Sequence, residues 1–297
     1  MVANNLKKFL VEIKGKNMQE FIYSILELFP FDFMNYAFMK NAFLAVLLAT
    51  PVFAILGTMI VNNKMAFFSD SLGHSAICGI SIGMLFGIAN TNISMIIFAI
   101  CFALILNTVK HKVAYGADTI ISVFSSLAIA IGLAVLASTG SFNQYSIILV
   151  GDILSINWNE IVYLFITLIA VLIFWYYTFN KLHSISINTS LARSKGIKVE
   201  LIDNIFVVLI AIVVMISIRW IGILLINSLL ILPAASSRNI AKNMRQYHLF
   251  SLIFSVFAGL AGLVISYYFD IPTGPMIVIL SGIIYFVTFL IKGKIKE

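Results

Sequence analysis

Charge is what this chain has least of. Asp, Glu, Lys and Arg together make up 10% of its 297 residues, where an ordinary soluble domain carries about a quarter. A water-facing surface cannot be built from that supply. Cysteine is nearly absent too. The two present, Cys78 and Cys101, lie inside apolar runs, which excludes a disulfide framework. No G-x-x-x-x-G-K-[ST] occurs, so the chain has no loop of its own for cradling ATP phosphates. It also lacks a train of buried acidic residues that could relay protons, so any energy must come from a partner. It has no His-Glu-x-x-His, nucleophile elbow or paired acidic motif, which argues against a membrane-embedded enzyme. No repeat, linker or low-complexity tract divides it.

What remains is hydrocarbon. Apolar residues reach 61%, and mean hydropathy is +1.06. A bilayer core takes roughly 20 apolar residues per helical crossing. Membrane-spanning backbone must satisfy its own hydrogen bonds, as a helix or a closed barrel does. The apolar runs are long and do not alternate, so the expected fold is an all-α, polytopic transmembrane helix bundle. The expected spans are 42–61, 76–90, 93–109, 119–138, 161–180, 201–218, 221–237, 247–269 and 276–291. That gives about nine crossings, within a range of eight to ten.

The net charge of +7 follows this topology rather than pointing to nucleic acid. Thirteen of the nineteen Lys and Arg fall in one set of alternating loops and at the carboxyl terminus, and only Arg219 falls in the other set. Positive loops stay in the cytoplasm, which places the carboxyl terminus inside a multi-pass protein of the cell membrane. Five lysines precede the first span and fit an inside location only if an irregular tenth crossing lies within 18–34.

The amino-terminal segment, 1–35, reads as an interfacial region, with an amphipathic helix at 4–29. Its lysines are broken up by apolar residues and followed by acids, unlike a cleavable signal peptide. The transmembrane domain is then 36–297. The stretch 140–160 is too polar for a simple crossing and reads as a partly inserted outer segment. The longest cytoplasmic loop, 181–200, has a cap in Thr189 or Ser190 and a terminator in Gly196 for a short helix through Arg193.

The polar run 69–83 carries the chemistry. Asp70 and His74 are four apart and share one face of a helix. A carboxylate oxygen with an imidazole nitrogen suits manganese, zinc or ferrous iron. Cys78 continues that stripe, and a thiolate there would favour zinc; a buried packing residue is the plainer reading. Ionisable side chains are costly inside a bilayer, which favours function for Asp70 and His74 over a structural hydrogen bond. Gly79, Gly83 and Gly87, also spaced by four, suit close helix approach and a central position. Pro233 is expected to kink its helix, and Asp270 with Pro272, Gly274 and Pro275 to form an outer turn. Asp152 and Asp270 read as turn or cap residues, with guidance of a cation as the alternative.

Four motifs in order resemble the membrane permease subunit of the ABC importers for manganese, zinc and iron. They are Met65–Ser75 with Gly79 after it; Gly151–Leu154; Ala192–Ile197; and Ile221–Leu225 leading to Leu232–Ala235, with Asp270–Gly274 closing the set. The resemblance covers about 36–291. The family usually has Ser where Gly73 stands and rarely a cysteine at position 78.

The resemblance implies a transport subunit, not an enzyme, with ATP hydrolysis on separate cytoplasmic ATPase subunits. It implies an extracellular metal-binding protein, a homodimer of permease chains, and no permanently bound cofactor. The cargo would be Mn2+ or Zn2+, with Fe2+ a further option. Asp70 and His74 match the family's acidic residue and histidine. Ala192, Arg193 and Gly196 fall in the segment that docks on the ATPase. Two alternatives stay open: a permease for metal chelates such as siderophores or cobalamin, and a secondary metal transporter driven by an ion gradient.

Overall fold

A computed structural model describes residues 18–27, 32–88, 90–112, 117–140 and 151–295. The described residues form eleven α-helices and no strand. In chain order they are α1 (Met18–Leu26), α2 (Ala37–Asn62), α3 (Ala66–Leu85), α4 (Thr91–Lys112), α5 (Ala117–Ser138) and α6 (Trp158–Ile187). Then come α7 (Thr189–Ser194), α8 (Val199–Ile221), α9 (Ile223–Ile240), α10 (Met244–Phe269) and α11 (Thr273–Ile295).

Seven of them, α2, α4, α5, α6, α8, α10 and α11, are long and apolar enough to cross a membrane. The other two long helices, α3 and α9, hold more of the polar residues. Ser69, Asp70, Ser71, His74, Ser75 and Ser81 interrupt α3, and Asn227, Ser228, Ser236, Ser237 and Arg238 interrupt α9. Polar groups at membrane depth need protein around them. Accordingly, 13 of the 20 residues of α3 are buried.

The helices differ from the sequence reading at four points. The span expected at 76–90 is helical from Ala66, so Asp70 and His74 sit well inside α3. Gly87 lies in the turn beyond, at φ +68° with nothing packed against it, and is a turn residue rather than a crossing point. The loop expected at 181–200 is largely helix, because α6 runs 30 residues to Ile187. The cap of α7 is Asn188, whose side chain accepts the Leu191 N–H at 3.0 Å, rather than Thr189 or Ser190. The amphipathic helix expected at 4–29 lies outside the described residues except for Met18–Leu26. That nine-residue piece rises only about 13 Å, too little for a crossing by itself. The 140–160 segment is likewise described only at its ends.

Small and hydroxyl-bearing residues hold the bundle together, as expected where lipid removes the hydrophobic drive between helices. On α3, a Cβ at Gly79 would stand 3.1 Å from the Met95 Cα of α4. Ser94 Oγ donates to the Gly79 carbonyl at 2.5 Å, and Ser81 Oγ reaches the Gly132 carbonyl of α5 at 2.8 Å. On the other side, Ser255 Oγ of α10 donates to the Thr50 carbonyl of α2 at 3.0 Å. Such bonds contribute roughly 0.6 kcal/mol each in membranes. Gly222, at φ +85°, breaks the chain between α8 and α9. α1 is pinned to α2 by the Lys40–Glu27 ion pair at 2.6 Å and by the Tyr23 hydroxyl on Asn41.

Candidate metal path

The site starts from the helical period. On α3, Asp70 and His74 fall one turn apart, with His74 Nε2 3.7 Å from Asp70 Oδ1. That is too long for a hydrogen bond. It is near the separation of about 3.4 Å that two ligands bound at about 2.1 Å keep across a tetrahedral ion. Both side chains stay open: His74 is 33% exposed and Asp70 46%. A cation could therefore reach them without the helix moving.

The structure brings a third side chain to this pair. Asn227, on α9, donates from Nδ2 to Asp70 Oδ1 at 2.5 Å. The approach of the two helices depends on Gly73, where a Cβ would stand 3.1 Å from Ile223 Cγ2 and 3.6 Å from Asn227 Nδ2. Asn227 was missed in the sequence because it and Ser228 are the only polar residues in the run Ile223–Leu232, with no charged neighbour to mark them. An amide in the apolar first half of α9 was the available signal.

Cys78 does not join this group in the open. It is buried, and its backbone packs on Gly132 of α5, where a Cβ would stand 2.8 Å from the Cys78 nitrogen. Among the described residues no cluster of three or more His, Cys, Asp or Glu could hold a metal. Among the described residues of one chain, an ion at Asp70 and His74 thus has two such ligands.

Three of the sequence motifs meet at one end of the bundle. Gly151, at φ +74°, packs directly on the Ile221–Gly222 peptide with no space for a side chain. A cavity of about 100 Å³ there is lined by Asp152, Leu154, Trp220, Leu225, Pro272 and Gly274, among others. Asp152 accepts the Leu154 N–H at 3.2 Å, and Asp270, at φ +51°, ends α10. Both act as turn and cap residues here.

The short helix α7 carries the last motif. Ala192 is fully buried, while Arg193 is exposed and stands 3.5 Å from Glu200. Gly196, at φ +76°, ends α7; its N–H meets the Arg193 carbonyl at 2.9 Å, and the Ile197 N–H meets that of Ala192 at 3.1 Å. This is the hydrogen-bond pattern that a left-handed glycine allows after a helix.

Comparison with known proteins decides the family. The sequence model of the ABC 3 transport family matches residues 35–292. The chain belongs to that family. Its relatives include the high-affinity zinc uptake system membrane protein ZnuB of Haemophilus influenzae, 27% identical over 86% of this chain and 97% of that protein. The manganese import system permease protein ScaB of Streptococcus gordonii is 27% identical over 88% and 93%. Among solved structures, a chain of PsaBC from Streptococcus pneumoniae, in complex with Fab, superposes with a TM-score of 0.77 at 25% identity, over 88% of this chain and 94% of that one. A chain from an inward-facing transporter assigned to the metal-chelate type, at 14% identity and TM-score 0.66, shares the fold alone.

Proposed function

We propose that this member of the ABC 3 transport family is the membrane permease of an ATP-driven importer for a divalent transition metal ion, manganese or zinc. The observation that carries this is the Asp70–His74 pair, spaced for two ligands of one ion, on the polar helix α3. Relatives named for zinc uptake and manganese import fit the same donor set. An oxygen and a nitrogen ligand suit both metals, and affinity alone would favour zinc.

Two ligands per chain hold an ion loosely. In a conduit binding must be favourable enough to enter and weak enough to leave. A homodimer would bring two such pairs together, fed by an extracellular metal-binding protein. α3 and α9 join the seven apolar helices to give nine crossings, with the carboxyl terminus in the cytoplasm. α7, with Ala192, Arg193 and Gly196, is the docking element for the ATPase subunits that supply the energy. Cys78 only packs. A chelate permease would have no use for a carboxylate and an imidazole poised on one ion.

The test is metal accumulation in cells producing the complete transporter. Asp70→Asn and His74→Ala should each abolish it while the protein still reaches the membrane and assembles. Near-normal uptake by both variants would return these residues to a structural role.

A further inference from the structure

We propose that Asn227 is a third residue of the ion site: it stands in for the cation when the site is empty and ligates the cation when the site is filled. The inference rests on the metal-site reading of Asp70 and His74 given above.

Three observations on the same side chain lead there. The first is the 2.5 Å bond from Asn227 Nδ2 to Asp70 Oδ1. Only the NH2 end of an amide can meet a carboxylate oxygen that closely, since two oxygens would repel, so the orientation of Asn227 is fixed by chemistry. The second is what that orientation leaves behind. The amide oxygen, Asn227 Oδ1, is buried and accepts no hydrogen bond among the described residues. A buried, unpaired carbonyl is costly, and in a native structure it calls for a reason. The third is space. Gly73 faces this amide, and a Cβ there would lie 3.6 Å from Nδ2 and 3.7 Å from Oδ1.

These observations describe one device. Without cargo, Asp70 would hold an unneutralised charge beside an imidazole; the amide N–H partly satisfies it. When a divalent ion takes the carboxylate, an N–H pointed at that ion becomes repulsive. The torsion that turns a terminal amide is broad and roughly two-fold, so a half-turn is cheap. That turn carries the orphaned oxygen onto the ion and the N–H away from it. The ligand set then holds imidazole nitrogen, carboxylate oxygen and amide oxygen. The added neutral oxygen shifts preference toward manganese, which takes oxygen ligands more readily than zinc does. His74 and Asp70 give the site affinity, and Asn227 tilts its choice.

The experiment is a Mn2+ titration of the purified full-length transporter, followed by the EPR signal of the free ion, with Zn2+ as competitor. Asn227→Ala should weaken Mn2+ binding about tenfold and Zn2+ binding less, so that Zn2+ displaces Mn2+ more easily. Asn227→Asp keeps shape and an oxygen ligand but trades the N–H for a second carboxylate, so it should bind both ions at least as tightly as wild type and keep the wild-type preference between them. Should the alanine variant fail to assemble, the aspartate variant decides, and a preference shifted toward zinc in it would overturn the proposal. Equal weakening for both metals in Asn227→Ala, or none, would also overturn it. Asp70→Asn and His74→Ala separate the two claims. If they abolish Mn2+ binding while Asn227→Ala changes nothing, only the role of Asn227 falls. If Mn2+ binding survives them, the ion site itself falls and Asn227 with it.

Discussion

Gly57 of α2 runs so close to the carbonyl oxygen of Leu230 on α9 that no side chain fits between them. Backbone-to-backbone approach of this kind replaces hydrophobic drive with contact area in a lipid setting. Gly57→Val should therefore separate α2 from α9 at a cost of about 1–3 kcal/mol. Thermal unfolding of the purified protein in detergent would show a lowered midpoint. Gly282→Ala is the control: nothing lies within 4 Å of a Cβ there, and alanine gains up to about 1 kcal/mol over glycine in a helix. An equal loss at both positions would refute the packing account.

Cys78 gives the second prediction. The sulfur belongs to a buried residue and Cys101 to an exposed one. Cys78→Ala should leave metal accumulation within about twofold of wild type, a loss of less than 0.5 kcal/mol in rate terms. Loss of zinc uptake alone in this variant would make the thiolate a ligand after all.

A third prediction concerns α7. Its end depends on Gly196 at φ +76°, and a left-handed position costs an L-residue about 1–2 kcal/mol. Gly196→Val should distort the helix end that carries Arg193 while leaving the transmembrane bundle folded. Metal-stimulated ATP hydrolysis should fall and less ATPase should co-purify. Asn188→Ala, which removes only the cap and about 1 kcal/mol, should have a milder effect in the same assays. Wild-type coupling in both would remove α7 from the docking role.

Orientation supplies the fourth. The thirteen positive residues on one set of loops and the carboxyl terminus, against Arg219 on the other, predict a cytoplasmic Glu297. A reporter fused there that works only in the cytoplasm should be active. Activity of a reporter that works only outside would invert the topology.

Much of this was legible in the sequence, and the exceptions have physical causes. Apolar runs mark helices wherever lipid faces them, so α5, α10 and α11 were readable nearly to their ends. α3 was placed ten residues late because Ser69, Asp70, Ser71 and His74 lower its apolarity while the surrounding protein shelters it. The Asp70–His74 relation followed from a local period of four. The Asn227–Asp70 bond joins positions 157 residues apart, and no local pattern encodes that distance. The cap at Asn188 was missed because α6 continues past the length a bilayer needs.

The dependence of α3 on α9 has a consequence for how the protein is made. Synthesis delivers Asp70 to the membrane long before Asn227 exists, and α3 is too polar to settle among lipids unaided. Its early neighbours α4 and α5 can shelter the second half, since Ser94 bonds the Gly79 carbonyl and the Gly132 carbonyl accepts from Ser81. Among the described residues, the contacts of the carboxylate are with His74 and Asn227. The first half of α3 should therefore stay exposed to water, or under the care of the insertion machinery, until α9 emerges. A nascent chain ending at Gly222 should leave a cysteine placed at position 73, which faces Ile223 and Asn227 of α9, open to a water-soluble thiol reagent, and one extended through Ala241 should protect it.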